Sequence, residues 1–307
     1  MLRLLPPLSY LRPAFLPCSL KKASSRSAMA DTTRSPKSGN HWSTDELLAY
    51  NITIQTQSVV DFFGHELSPI DLDPYLFSSF SPSTSSRIPT GMSMPTHRFL
   101  SHLTLISHDA QDSFLNDFAI SVLDVTNFER QLGTLLVPRY NLPLTICGNN
   151  DRKAIVDICL MSAQLVPMIL LVVQRDKPVF GPSGPEPPVV AGAIATFQYN
   201  NRSRAKMGLP TLDKMTIPCI TVEGTRPLFY KVPVTQHLSD CVATGQFPTQ
   251  QTVVTRCGPP TPLEAHEGMK SPDYRRIALY YYEAFRDLAE DCWAPFLSGC
   301  EGEWPQT

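Results

Sequence analysis

Three short apolar runs follow one another in the middle of the chain: Leu142 to Cys147, Ala154 to Leu160 and Met168 to Val173, each bounded by turn-forming residues. Runs of this length read as strands, and the gaps between them suit hairpins. They are continuous rather than alternating, so the sheet they form has to be covered on both faces. Ahead of them Phe114, Leu115, Phe118, Ala119, Val122 and Leu123 recur at helical spacing, which predicts an amphipathic helix over 111–123. Asp117 lies opposite its stripe and Asp112 nearer the edge. Behind them a loop, GPSGPEPP, ends in prolines that start a helix well. The small-residue segment Val189 to Gln198, VVAGAIATFQ, is that helix, able to lie close on a sheet. Ile217 to Val222 and Leu228 to Val232 read as two more strands, Thr235 to Ala243 as a threonine-capped helix, and Thr252 to Thr255 as a final edge strand.

The flanks are simpler. Ser43-Thr44-Asp45-Glu46 is a capping box that starts a short helix, and Ile52, Ile54 and Thr56 alternate as in a strand. The stretch from Ser78 to Pro95, SSFSPSTSSRIPTGMSMP, has the composition of a linker. Over 273–294 Tyr274, Ile277, Ala278, Tyr281, Phe285, Leu288 and Cys292 form one apolar stripe, a helix that docks on the chain's own core or on a partner. The expected division is 1–41 disordered or presequence-like, 42–95 an N-terminal appendage and linker, and 96–255 the α/β core. A second linker at 256–272 and a C-terminal helix with its tail at 273–307 complete it.

Composition narrows the function classes. Hydrophobic residues make up 42%, enough for a core, while 18% charge and 29 prolines point to long irregular connections. A net charge of −2 provides no global basic field for nucleic acid and leaves only a local patch. None of the eight cysteines has CxxC spacing, which excludes a zinc ribbon and a thioredoxin-type site and suits buried free thiols in a reducing compartment. His97, His102 and His108 have no ligand spacing. The longest apolar run, Leu165 to Val173, is far shorter than the ~20 residues a membrane span needs. Residues 1–30 carry Arg3, Arg12, Lys21, Lys22 and Arg26 with no acid before Asp31, as in a mitochondrial presequence; Met29 is an equally good start. The expected place is the nucleus or cytoplasm, or the mitochondrial matrix if 1–28 is a genuine presequence. There is no GxSxG elbow, Walker loop, GxGxxG or HExxH.

From Asp112 to about Val232, the order helix, three strands, helix, strand resembles the PD-(D/E)XK nuclease-like superfamily, the restriction-endonuclease-like fold. It looks closest to fungal proteins of unknown function that carry this core. The residues behind the resemblance are Asp157 in AIVDICLM, the strand ILLVV running into Gln174-Arg175-Asp176-Lys177, and the helix of AGAIATFQYNNR. They cover about 120 of the 307 residues, and element order carries more of the likeness than any one residue. The resemblance implies an α/β fold: a central mixed sheet flanked by helices, an αβββαβ nuclease-like core with an N-terminal appendage and a C-terminal helix. It implies a site where an aspartate of the second strand and an acid-x-lysine of the third converge on Mg2+ or Mn2+. Such a metal takes oxygen ligands, activates a water and neutralises charge growing on a phosphate. Asp157 takes the first position and Lys177 the last, with Asp176 as second carboxylate, Gln174 beside them and Asp112 as an outer carboxylate.

The sequence departs from that pattern at one point. The acid of acid-x-lysine falls at residue 175, which is arginine, and alternation puts Asp176 on the opposite face unless a bulge brings it round. An arginine about 5 Å from a divalent ion costs several kcal/mol even at an effective dielectric near 20. Asp157 then has a second use, an ion pair with Arg175 or Lys177. The expectation is a degenerate metal site that retains binding to DNA, RNA or a protein partner, with Arg175, Arg202, Arg204 and Lys206 as phosphate contacts. The rivals are an active metal-dependent phosphodiesterase, and a structural or interaction module that needs no cofactor.

Overall fold

The computed structural model describes residues 34–69, 71–78, 88–108, 112–131, 133–164, 166–175, 184–260 and 265–297. The presequence-like segment up to residue 33, residues 79–87 of the Ser78–Pro95 linker, Asp176 and Lys177 lie outside them. Seven strands form one mixed sheet in the order β1-β7-β6-β5-β4-β3-β2. They are β1 (Ile52–Thr56), β2 (Thr134–Ile146), β3 (Asn149–Ser162), β4 (Met168–Arg175), β5 (Lys214–Glu223), β6 (Arg226–Thr235) and β7 (Thr252–Cys257). The helices are α1 (Thr44–Ala49), α2 (Val59–Phe63), α3 (Met94–His108), α4 (Asp112–Val125), α5 (Glu186–Lys206), α6 (Gln236–Thr244) and α7 (Pro272–Leu297).

The central run α4-β2-β3-β4-α5-β5 has the αβββαβ order. β2, β3 and β4 form an antiparallel meander, and β4 then pairs with β5 in parallel across the α5 crossover. Every residue of β4 is buried, because the strand lies inside the sheet with α5 over one face and α7 over the other. Continuous apolar character in ILLVV is what such a position requires. α7 covers its face with aromatic rings: Phe229 of β6 stacks on Tyr281 and meets Tyr282 and Phe285 at centroid distances of 5.0 and 4.8 Å.

Several elements differ from their sequence reading. β7 is interior, hydrogen-bonded between β6 and β1, and β1 is the edge strand, so the segment around the Ser43 capping box shares the main core through Trp42, Leu47, Tyr50 and Ile52. β2 runs on through Pro138 and Pro143 at the other edge of the sheet, where a strand has a neighbour on one side only and prolines are best tolerated. α3, packed against α4, has no counterpart in the periodicity reading.

α5 extends from Glu186 to Lys206, well past Gln198, and its close approach to the sheet depends on small residues. A Cβ at Gly192 would meet Val156 Cγ1 at 3.3 Å and Val172 Cγ1 at 3.4 Å. The helix is also fastened by amide side chains that each take one backbone residue at both its N–H and its C=O. Gln198 grips Thr145 where the β2–β3 register shifts. Asn200 accepts from Ile169 N at 2.8 Å and donates to Ile169 O at 2.9 Å, at the end of β4 where β5 does not pair. Asn201 holds Leu212 in the same way. Among the described residues, no helix is long and apolar enough to cross a membrane.

Candidate functional site

The antiparallel pairing Ile158↔Val173 carries Asp157 of β3 to the C-terminal end of β4, beside Gln174 and Arg175. Asp157 Oδ2 accepts from Gln174 Nε2 at 2.9 Å and from the backbone N of Arg175 at 2.9 Å. Arg175 Nη2 stands 3.7 Å from Asp157 Oδ1. Asp157, Gln174 and Arg175 are only 3%, 1% and 3% exposed, so these contacts, rather than water, solvate the carboxylate. The backbone around Asp157 is irregular. Pairing with β2 runs through Pro138↔Ile158 and Tyr140↔Val156 but not between them, and there Arg139 takes a left-handed φ of 52°. Val156 and Val172 both lie under Gly192, so the α5 face of the sheet continues up to this point.

This arrangement brings together three of the residues singled out in the sequence, Asp157, Gln174 and Arg175. Asp176, Lys177 and the side chain of Asp112 lie outside the described residues, though Asp112 opens α4. The described residues do not fit a magnesium ion. Mg2+ needs near-octahedral oxygen ligands at about 2.0–2.1 Å. The one carboxylate present is hydrogen-bonded and sits beside a buried guanidinium, which repels a dication. No cluster of three or more histidine, cysteine or acidic side chains that could hold a metal occurs among the described residues.

Of the four basic residues assigned to phosphate contact, Arg175 is buried beside Asp157, and the other three lie within α5 rather than beyond its expected end at Gln198. Arg202, Arg204 and Lys206 occupy the last turns of α5, whose 21 residues put them about 25–30 Å along the helix from its start near Arg175. Arg202 Nη2 donates to Pro143 O at 2.8 Å, and burial holds its guanidinium below the ordinary arginine range. Arg204 Nε donates to Pro210 O at 2.8 Å, and Lys206 is exposed. Beside Arg202, the rings of Tyr140 and Tyr199 meet edge-on at 6.0 Å, with their hydroxyls 3.4 Å apart. Burial, and then the bond to Tyr199, pushes the Tyr140 phenol up to about 12.

A second polar group flanks the Asp157 cluster and is invisible in the sequence, because its members are far apart in the chain. Thr221, the register partner of Gln174, lines a pocket of about 300 Å³ with Glu186, Tyr230, Arg256 and Tyr274. Arg256 pairs with Glu186, and Tyr230 OH lies 3.4 Å from Glu186 Oε1 and 3.3 Å from Thr221 Oγ1. Although this is the N-terminus of a long helix, it is no phosphate cradle. Pro187 and Pro188 supply no N–H, and Glu186 already places a carboxylate there.

No protein-family model matches the chain, and no curated protein matches it.

Proposed function

We propose that this protein is a PD-(D/E)XK-like fold that binds nucleic acid without cutting it. The reading rests on one observation: the aspartate at the position expected to hold the metal is buried against Arg175 and hydrogen-bonded to Gln174 and the strand backbone. The connectivity α4-β2-β3-β4-α5-β5, with its antiparallel meander and parallel last strand, supports the kinship. With both carboxylate oxygens engaged and a fixed positive charge alongside, Asp157 serves as a structural anion that seats the end of β4. Nucleic-acid contact falls to the far end of α5. There Arg202, Arg204 and Lys206 adjoin the half-buried Tyr140–Tyr199 pair, a combination of cations and aromatic faces that suits a single strand.

The test compares wild type, Asp157→Ala and Arg175→Glu on single- and double-stranded DNA with Mg2+ or Mn2+. No cutting by wild type is expected, together with single-strand binding that weakens as salt rises and is reduced in Arg204→Ala. Wild-type cutting that disappears in Asp157→Ala would replace this reading with an active metal-dependent phosphodiesterase. Cutting gained by Arg175→Glu would identify residue 175 as the place of the missing carboxylate. Absence of salt-dependent binding would refute the nucleic-acid assignment.

A further inference from the structure

On the α7 side of the sheet the aromatic cover stops short. Phe229 lies under α7, but further along β6 Lys231, Pro233 and Thr235 are only half-buried, as is Thr216 opposite Pro233 on β5. α2 and the last turns of α7 stand apart over these residues and leave a groove of about 750 Å³, within the range of small-molecule sites. Its walls include Phe63, Pro233, Leu288, Cys292 and Phe296.

Lys231 is set into this apolar surface. Its Nζ donates to Phe62 O at 2.7 Å and stands 4.5 Å over the Phe62 ring. Those contacts use one of three N–H donors and one face of the ammonium. No carboxylate of the described residues forms an ion pair with it, although Asp61 and Asp291 also line the groove, as does a second cation, Lys214. Loss of solvent holds the amine below the ordinary lysine range, even though the neighbouring thiols Cys292 and Cys257 favour the charged form. A half-buried cation with apolar walls beside it is complementary to an anionic head carried on an apolar chain.

We infer that the groove between α2 and the end of α7 binds a single-chain carboxylate amphiphile, with Lys231 as the counter-ion of its head and Phe63, Leu288 and Phe296 along its chain. The site lies on the opposite face of the sheet from α5 and is independent of the nucleic-acid reading. Decanoate serves as probe, with decan-1-ol as its uncharged counterpart, each titrated calorimetrically into the full chain. Decanoate is expected to bind about fivefold or more tightly than decanol, the scale of one partly screened ion pair. Lys231→Met is expected to abolish that preference, Lys231→Arg to retain it, and Leu288→Trp to weaken both ligands by filling the trough. Equal affinity for the two probes in wild type, a preference that survives Lys231→Met, or no saturable decanoate binding would each overturn the inference.

Discussion

Removal of Asp157 separates a structural anion from a catalytic one, because the two roles predict opposite changes in stability. In Asp157→Ala the Gln174 amide and the Arg175 N–H lose their 2.9 Å acceptor, and the guanidinium loses the carboxylate 3.7 Å away. At that separation the attraction is roughly 4 kcal/mol for an effective dielectric near 20, before desolvation is subtracted. Breaking a buried pair from one side typically costs about 3–5 kcal/mol, since the surviving charge stays buried. We expect about 4 kcal/mol for Asp157→Ala, about 3 for Arg175→Met, and a double variant at least about 2 kcal/mol better than their sum. Urea unfolding reports this directly, with the buried Trp42 and Trp293 as fluorescent probes. Catalytic acids commonly behave in the other way, their removal leaving stability unchanged or raised. An unchanged or higher midpoint for Asp157→Ala, or additive single variants, would refute the structural role and return Asp157 to the list of metal ligands.

Other consequences are open to simpler measurements. Asn200→Ala leaves both polar groups of Ile169 without their present partner in a fully buried place, and should cost about 2–3 kcal/mol in the same urea experiment. Burial alone would push the Asp73 carboxyl up, but bonds from Ser93 N, the Thr96 hydroxyl and Tyr75 N outweigh it and hold the group below its ordinary value. Its contribution should therefore be present above about pH 4 and fade as pH falls through the depressed folded value, an acid limb that Asp73→Asn removes from a stability–pH profile. Burial pushes the thiols of Cys159 and Cys292 up to about 12 and about 11, and Cys219 also up, so peptide mapping after iodoacetamide should find, among the cysteines of the described residues, half-exposed Cys147 modified first and Cys159 and Cys219 only on unfolding. Labelling of Cys159 as fast as Cys147 would contradict this burial.

The strands of the core were legible because burial on both faces demands uninterrupted apolar runs, and Met168 to Val173 is such a run. Their outer ends were not. The strand read as starting at Leu142 extends back to Thr134 through Pro138 and Arg139, which an edge strand with a neighbour on one side only can carry. The helix was read as ending at Gln198, just before Asn200 and Asn201, since amide side chains compete locally for backbone groups. Their partners, Ile169 and Leu212, came within reach only once the chain had folded, and these let α5 continue. At the site, an ion pair of Asp157 with Arg175 or Lys177 was one of the readings left open, and the structure shows the contact with Arg175. The Glu186–Arg256–Tyr230 group spans three elements and had no local signature at all.

The amide clamps on α5 also bear on how this protein ages. Gln198, Asn200 and Asn201 hold their backbone partners with neutral groups, so neither salt nor a change of pH in the physiological range loosens that fastening. Their weakness is hydrolytic. Conversion of Asn200 to aspartate would set an oxygen where Nδ2 now donates to the Ile169 carbonyl, turning an attraction into a repulsion inside a dry core. Helical backbone geometry keeps the side chain from the ring closure that begins this reaction, so folding shields the residues on which it depends. Damage should gather in molecules that have been unfolded, and a chain held long enough in denaturant should lose its ability to refold even though every peptide bond is intact.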